Sequence, residues 1–402
     1  MSLNDTPRAN RLHIAIFGKR NSGKSSLINA ITGQPVAVVS DVAGTTTDPV
    51  YKTMEIHGIG ACVLIDTAGF DDEGSLGEMR VEKTLDVVEK TDIAVLLFSE
   101  GDLSFEKRWL ETLRKKKTPV LGVINKADIL KDVEDFAEKI KSECNIEPVV
   151  ISAKNNINIL KVREKLIEML PEDYEISDIT AGLCEKGDTV LLVMPQDIQA
   201  PKGRLILPQV QTLRNLLDKK CLVMSTTTDM LEQALSSMVK EPDLIITDSQ
   251  VFKTVYEKKP ASSKLTSFSV LFARYKGDIS EFVEGAKAID LLNENSKVLI
   301  AEACTHAPLS EDIGREKIPR MLRQRFGEEL TVDIVSGAEF PEYLSDYDLI
   351  IHCGACMFNR KYVLSRIEKA RAAGVKITNY GVVIAHLSGI LDKIYTGGTY
   401  NG

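Results

Sequence analysis

Short apolar runs recur along this chain, separated by stretches in which apolar residues return every three or four positions. The runs Ile14–Phe17, Cys62–Ile65, Ile93–Phe98, Val120–Ile124 and Val149–Ile151 are unbroken, the pattern of parallel strands covered on both faces. Each is followed by a loop and an amphipathic segment, which is the grammar of a doubly wound α/β domain. Pro171 and the acidic stretch behind it close this first region, residues 1–172. A second region, 178–264, has strand candidates Val190–Met194, Leu222–Ser225 and Leu244–Thr247, helices starting near Pro208, Thr228 and Ser249, and Pro260–Ser263 as a linker. The third, 265–402, has strand candidates Val298–Ala301, Val332–Val335, Leu349–Ile351 and Val375–Thr378. Its helices are predicted over Glu281–Leu292, Gly314–Arg325, Lys361–Ala373 and Val383–Leu391. The expected fold is an N-terminal doubly wound, mostly parallel α/β domain followed by two smaller α/β domains.

Composition narrows the class without deciding it. With 402 residues, the chain is too long for one core. Its 44% hydrophobic and 27% charged residues are ordinary for a soluble protein. A net charge of -8 gives no general attraction to nucleic acid or anionic lipid, and Lys115–Lys117 read as the solvated end of a helix. No apolar run reaches the length of a membrane span, and Met1–Arg11 lacks the apolar core of a signal peptide. The expectation is a cytoplasmic protein with neither nucleic acid nor membrane as partner. Seven cysteines, an odd number, argue against a disulfide framework. Cys62, Cys144, Cys184 and Cys221 are scattered and read as small hydrophobes.

The first chemical signal is Gly18-Lys19-Arg20-Asn21-Ser22-Gly23-Lys24-Ser25, an unbroken G-x-x-x-x-G-K-[ST] between a strand and a helix that continues through Ser26. The glycines let backbone N–H groups face phosphate oxygens, and the helix N-terminus adds partial positive charge. Lys24 would reach the β- and γ-phosphates, and Ser25 would hold Mg²⁺. Asp66-Thr67-Ala68-Gly69 ends another strand. There a carboxylate can hold Mg²⁺ and the Gly69 N–H can meet the γ-phosphate. At a third strand end stands Asn125-Lys126-Ala127-Asp128, whose terminal carboxylate suits the paired N–H donors of guanine. Adenine would leave that acid unpaired, so discrimination should be large. Ser152-Ala153-Lys154 follows the next strand and resembles the loop whose backbone caps the guanine oxygen. These motifs imply GTP rather than ATP.

The set resembles the tRNA-modifying and ribosome-assembly (TrmE- and Era-like) GTPases. By that resemblance Gly44-Thr45-Thr46-Thr47-Asp48 is the first switch, with Thr46 completing the Mg²⁺ shell. Phe70 stands where Ras-like enzymes carry a water-orienting glutamine, so hydrolysis is expected to be slow without another group. Asn21 occupies the position that, in the resembling group, helps hold K⁺ beside the phosphates. The expected catalytic set is therefore Asn21, Lys24, Thr46, Asp66 and Gly69, with K⁺ activation.

The second signal lies in the third region. Cys304-Thr305-His306 and His352-Cys353-Gly354-Ala355-Cys356 gather three of the seven cysteines and two of the five histidines. Both clusters lie just beyond strand candidates, and in an open parallel sheet such ends share one crevice. Three thiolates with a variable fourth ligand suit an iron–sulfur cluster and a Cys3His zinc site nearly as well.

A GTPase domain followed by C-x-H and H-C-x2-C resembles, over essentially the whole chain, the maturation GTPase of iron–iron hydrogenases. That resemblance implies that Cys304, Cys353 and Cys356 bind a 4Fe-4S cluster. The protein would serve as scaffold or carrier for a di-iron subcluster, received from radical-SAM maturases and delivered to the apo-hydrogenase. Gly203–Gln209 resembles the family's dimerisation domain, implying a homodimer. His306, His352 and Glu311 stay open as the fourth ligand, and an imidazole beside a cysteine can instead make an outer hydrogen bond. The competing readings are an RNA or ribosome-assembly GTPase with a zinc module, and a cluster-containing redox enzyme with a regulatory GTPase domain.

Overall fold

A computed structural model describes residues 11–33, 49–56, 58–67, 75–99, 101–171, 178–195, 205–303, 313–337, 340–341, 343–355 and 358–396, the side chains of 75–82 excepted. The chain forms two compact units, Met1–Ile176 and Ser177–Gly402.

The first unit alternates strands and helices in the order β1 (Leu12–Gly18), α1 (Lys24–Thr32), β2 (Val50–Ile56), β3 (Gly60–Asp66), α2 (Ser75–Lys90), β4 (Ile93–Phe98), α3 (Ser104–Lys115), β5 (Val120–Ile124), α4 (Val133–Cys144), β6 (Val149–Val150) and α5 (Ile159–Glu168). Its six-stranded sheet has the order β2-β3-β1-β4-β5-β6. β2 runs antiparallel to β3, and the other neighbours pair in parallel. All six residues of β4 are buried, and alternate strand residues feed two cores, one on each face. The α/β expectation holds. The sequence reading missed β2, whose polar Lys52, Thr53 and Glu55 fit an edge strand. The chain connects β1 to β3 on one side and then to β4 on the other. The end of β1, where the phosphate motif begins, therefore flanks the point at which winding reverses.

The second unit holds two four-stranded parallel sheets. β7 (Thr189–Val193), α6 (Leu207–Asp218), β8 (Leu222–Thr226), α7 (Leu231–Ser237), β9 (Leu244–Thr247), α8 (Phe252–Lys258) and β10 (Lys264–Ser267) build the first, in the order β10-β9-β7-β8. α9 (Phe268–Lys276) and α10 (Ile279–Lys287) lead to β11 (Lys297–Glu302), α11 (Ile318–Phe326), β12 (Thr331–Ser336), β13 (Leu349–His352), α12 (Arg360–Ala372), β14 (Lys376–Asn379) and α13 (Tyr380–Leu387). The second sheet has the order β12-β11-β13-β14. The four strands predicted for it are all present, within two residues at either end. β10 was not foreseen, because Lys264-Leu265-Thr266-Ser267 is short and mostly polar. It pairs with β9, so the first sheet runs past Lys264 and Pro260–Ser263 is the turn into its last strand. Helix α10 stops at Lys287, and Ala288–Leu291 tightens into a 3-10 turn. A π-helical turn, Ile313–Lys317, precedes α11.

One continuous core joins the two sheets. Leu191, Val193, Ile245 and Leu265 belong to the same buried cluster as Val298, Ile300, Ile350 and Ile377. The other face of the first sheet, with Val190, Leu192, Leu244 and Ile246, has a core of its own. The close fit is visible at Gly285, where a Cβ would stand 2.0 Å from the Ile377 carbonyl oxygen.

Candidate functional site

The phosphate loop curls between Gly18 and the start of α1. Asn21 adopts a left-handed backbone (φ 59°) and so does Gly23 (φ 94°). A Cβ on Gly23 would lie 2.2 Å from Asn125 Nδ2, so both conformation and space require glycine there. Lys24 is buried, and its Nζ donates to the Gly18 and Lys19 carbonyls, each at 2.9 Å. Ser22 Oγ is buried with no hydrogen-bond partner among the described residues, an unmet capacity that a phosphate oxygen would satisfy. The sequence reading gave no role to Lys19 beyond a motif filler. Its Nζ stands 3.1 Å from Oε2 of the fully buried Glu106 on α3, tying the loop to the neighbouring helix. Burial holds the Glu106 carboxyl above its usual range, with Lys19 acting in the opposite sense.

β3 brings Asp66 beside this loop. Ser25 Oγ donates to Asp66 Oδ2 at 2.6 Å, and Thr67 Oγ1 donates to the Ile16 carbonyl at 2.7 Å, locking the two strand ends together. Burial raises the Asp66 carboxyl above its usual range, opposed by Ser25 and Lys24. A dication held by these two oxygens would offset that desolvation, so the pair fits Mg²⁺. Thr46, Gly69 and Phe70 lie outside the described residues.

The base-recognition loops converge through Asn125. Its Nδ2 donates to the Ser22 carbonyl at 3.1 Å, while its Oδ1 accepts from Lys126 N at 2.8 Å and Ala153 N at 3.0 Å. One buried amide thus braces three of the four motifs. Ser152 Oγ donates to Asp128 Oδ1 at 2.6 Å. That bond is the main cause holding the exposed Asp128 carboxyl below its usual range, with Lys154 and Lys126 adding to it. An ionised, oriented acceptor is the species that the guanine N–H pair needs. Lys126 (φ 64°) and Lys154 are exposed beside it, and Ser26 lies in the first turn of α1.

In the second unit, β11 is followed by β12 on one side and β13 on the other, so its sheet also reverses winding beside β11. Ala301 pairs with His352, and Cys353 N donates to the Ala301 carbonyl at 3.0 Å. Cys353 Sγ accepts from Ala303 N at 3.0 Å and Ala355 N at 3.4 Å. Ala303 immediately precedes Cys304, so the strand ends carrying the two cysteine motifs meet, as the shared crevice required. Two N–H groups on one sulfur suit a thiolate and hence a thiolate-bound metal centre. Cys304, His306, Glu311 and Cys356 lie outside the described residues.

His352 is fully buried and both of its ring nitrogens are engaged. Nδ1 meets the Cys353 carbonyl at 2.8 Å, and Nε2 meets Arg366 Nη1 at 3.1 Å. Burial first, and Arg366 second, push its pKa down to about 3, so the ring is neutral at physiological pH. These are hydrogen bonds of the kind an imidazole beside a cysteine can make instead of binding metal. Arg366 was missed by sequence reasoning. Its one signal was its place on the buried stripe of α12 with Val363, Ile367 and Ala370, where an arginine is unusual. Glu302 and Arg315 stand on either side of the segment bearing Cys304, and Arg315 donates from Nε at 3.1 Å and Nη2 at 2.9 Å to the one oxygen Glu302 Oε2. No described helix is long and apolar enough to cross a membrane.

Comparison with known proteins follows the same division. A 50S ribosome-binding GTPase model matches residues 13–126, a hydrogen maturase F dimerization domain matches 179–277, and a hydrogen maturase F tetramerization domain matches 280–396. The tRNA modification GTPase MnmE of Treponema denticola is 34% identical over 167 residues, 40% of this chain and 35% of that protein. GTPase Der of Leptospira interrogans is 36% identical over 176 residues, 40% of this chain and 36% of that protein. The chain thus spans about a third of the length of these relatives. The structure of Era from Aquifex aeolicus bound to GDP.AlF4- aligns at 21% identity with a TM-score of 0.36, covering 54% of this chain and 92% of that one. A GTPase domain followed by both oligomerization domains of one family identifies the chain as a member of the hydrogen maturase F family.

Proposed function

We propose that this protein is a GTP-hydrolysing scaffold that binds a 4Fe-4S cluster through Cys304, Cys353 and Cys356 and delivers a di-iron precursor to an apo-hydrogenase. The observation that carries the reading is the contact of Ala303 N, one residue before Cys304, with Cys353 Sγ at 3.0 Å, in a chain that also holds a complete phosphate loop. Radical-SAM maturases would supply the precursor, and the dimerization and tetramerization domains would assemble the scaffold.

At the nucleotide site Lys24 and the loop amides bind and orient the phosphates, while Asn125 holds the loop and base motifs in register. Mg²⁺ on Ser25, Asp66 and Thr46 would supply charge neutralisation on the β- and γ-oxygens. Asp128 fixes the guanine edge. With Phe70 at the position of the water-orienting residue, turnover is slow, and Asn21 is the residue through which K⁺ would accelerate it. GTP acts as a switch: the γ-phosphate orders the loops carrying Thr46 and Gly69, and their release on hydrolysis changes partner contacts.

The test is anaerobic reconstitution with iron and sulfide, followed by visible and EPR spectra beside Cys304→Ala, Cys353→Ala and Cys356→Ala. The expected result is a 4Fe-4S signature lost in each variant while GTP turnover survives. A colourless protein holding one zinc through the same cysteines would sink the reading and make RNA the next partner to try. Equal turnover in KCl and NaCl would remove the K⁺ role.

A further inference from the structure

Arg366 is buried to 1% exposure. Its guanidinium carbon lies 4.8 Å from the ring centroids of Phe340 and Phe358 and 5.0 Å from that of Tyr362. Nη2 donates to the Gly337 carbonyl at 2.7 Å, and Nη1 reaches His352 Nε2 at 3.1 Å. A carbonyl oxygen cannot donate, so the Cys353 carbonyl fixes the His352 proton on Nδ1 and leaves Nε2 as the acceptor for Arg366. Asn379 Nδ2 gives the same Cys353 carbonyl a second hydrogen bond at 3.0 Å. From the guanidinium to the cysteine peptide there are thus two hydrogen bonds and one imidazole.

Packing alone does not account for this arrangement. A buried guanidinium carries a desolvation cost that an apolar side chain of similar volume avoids, and three ring faces offset only part of it. A buried cation is explained more fully by an anion near the other end of the relay. Cys353 is where that anion would be, since its sulfur already collects two N–H donors.

We propose that Arg366 is a positioning residue for a thiolate-bound iron–sulfur cluster on Cys353, acting through His352, which is not itself a ligand. The inference rests on the cluster reading above. A 4Fe-4S core held by three thiolates carries net negative charge, and one-electron reduction makes it more negative without requiring a proton. A buried cation favours the more negative form, so Arg366 raises the reduction potential and His352 keeps the cysteine peptide in register.

The test is a dithionite titration of the reconstituted full chain followed by EPR, comparing wild type with Arg366→Met, Arg366→Lys, His352→Gln and His352→Leu. At a poise near the wild-type midpoint, Arg366→Met should lower the reduced-to-oxidised ratio about tenfold, which is 59 mV for a one-electron couple. Arg366→Lys should stay near wild type. A glutamine can accept from Arg366 and donate to the Cys353 carbonyl, so His352→Gln should keep iron content and EPR line shape, whereas His352→Leu should shift the midpoint. Loss of iron or changed g-values in His352→Gln makes His352 a ligand and overturns the proposal. An unshifted midpoint in Arg366→Met overturns it as well. Should Arg366→Met fail to fold, an unshifted midpoint in His352→Leu does the same. A wild-type chain that takes up no cluster overturns the underlying reading, an outcome distinct from a cluster that ignores Arg366.

Discussion

The nucleotide site at the end of β1 and the cysteine site at the ends of β11 and β13 occupy equivalent places, the strand ends beside a reversal of winding. They manage charge differently. The nucleotide site carries its cation on the loop itself, with Lys24 held by two carbonyls, and places a buried carboxylate, Asp66, where a dication would sit. The cysteine site keeps its buried cation one side chain back, with a neutral imidazole between Arg366 and the sulfur-bearing peptide. A ligand that comes and goes suits a site whose charges touch it directly. A ligand that stays suits a site whose field is set by the core behind it.

If the two sites are chemically separate, their lesions should not cross. Lys24→Ala should lower GTP turnover by about 10²–10³-fold and leave iron uptake unchanged. Cys353→Ser should abolish the cluster spectrum and leave GTP turnover within about twofold. A crossed effect in either variant would break the separation. The guanine contact comes next in size. Asp128→Asn should weaken GTP binding by roughly 100-fold or more and improve binding of xanthosine triphosphate, whose carbonyl accepts where guanine donates; competition binding reads both.

Legibility in the sequence followed the same contrast. The nucleotide site was readable because the phosphate loop is contiguous and its partner motifs end apolar runs, so spacing alone places Lys24, Asp66 and Asp128. The role of Asn125 as a common brace needed three dimensions, since its partners Ser22 and Ala153 are far apart in sequence. The place of Cys353, beyond β13 and beside the end of β11, was readable from the apolar runs and the crevice rule. Arg366 was not, because nothing in a one-dimensional pattern separates a buried arginine with three aromatic neighbours from a solvated one. In the fold, polar composition hid β2 and β10. β2 is a mostly unburied edge strand held by pairing, whereas β10 is buried at Leu265, Thr266 and Ser267 but mostly through polar side chains that an apolar-run criterion does not register.

Two smaller effects would sharpen the account of the nucleotide site. Ser152→Ala removes the hydrogen bond that orients Asp128 and should weaken GTP binding by about fivefold, near 1 kcal/mol. Because Ser152 is the main cause of the lowered Asp128 pKa, the variant should also lose affinity at a higher pH than wild type as acid is added. Asp66 has the opposite sign. Its folded pKa is raised by burial, so its contribution to the nucleotide-free protein is present below the ordinary carboxylate pKa and lost as pH rises through the raised value. Asp66→Asn should therefore remove a pH-dependent loss of about 2 °C in Tm, measured by melting across that window without nucleotide.

The core shared by the two sheets of the second unit bears on how the protein is made. Leu191, Val193, Ile245 and Leu265 share one buried cluster with Leu231, Phe252 and Val255 of the same sheet's helices and with residues from Ile279 onward. At ~5–20 residues per second, the region 280–396 takes roughly 6–23 s to emerge after the first sheet is complete. During that interval the sheet has only its own part of that cluster, Leu231, Phe252 and Val255 included, and the rest of the shared core is still unsynthesised. The unit is therefore expected to reach its native state late, as a whole, and to depend more than the GTPase unit on chaperones that shield nascent chains.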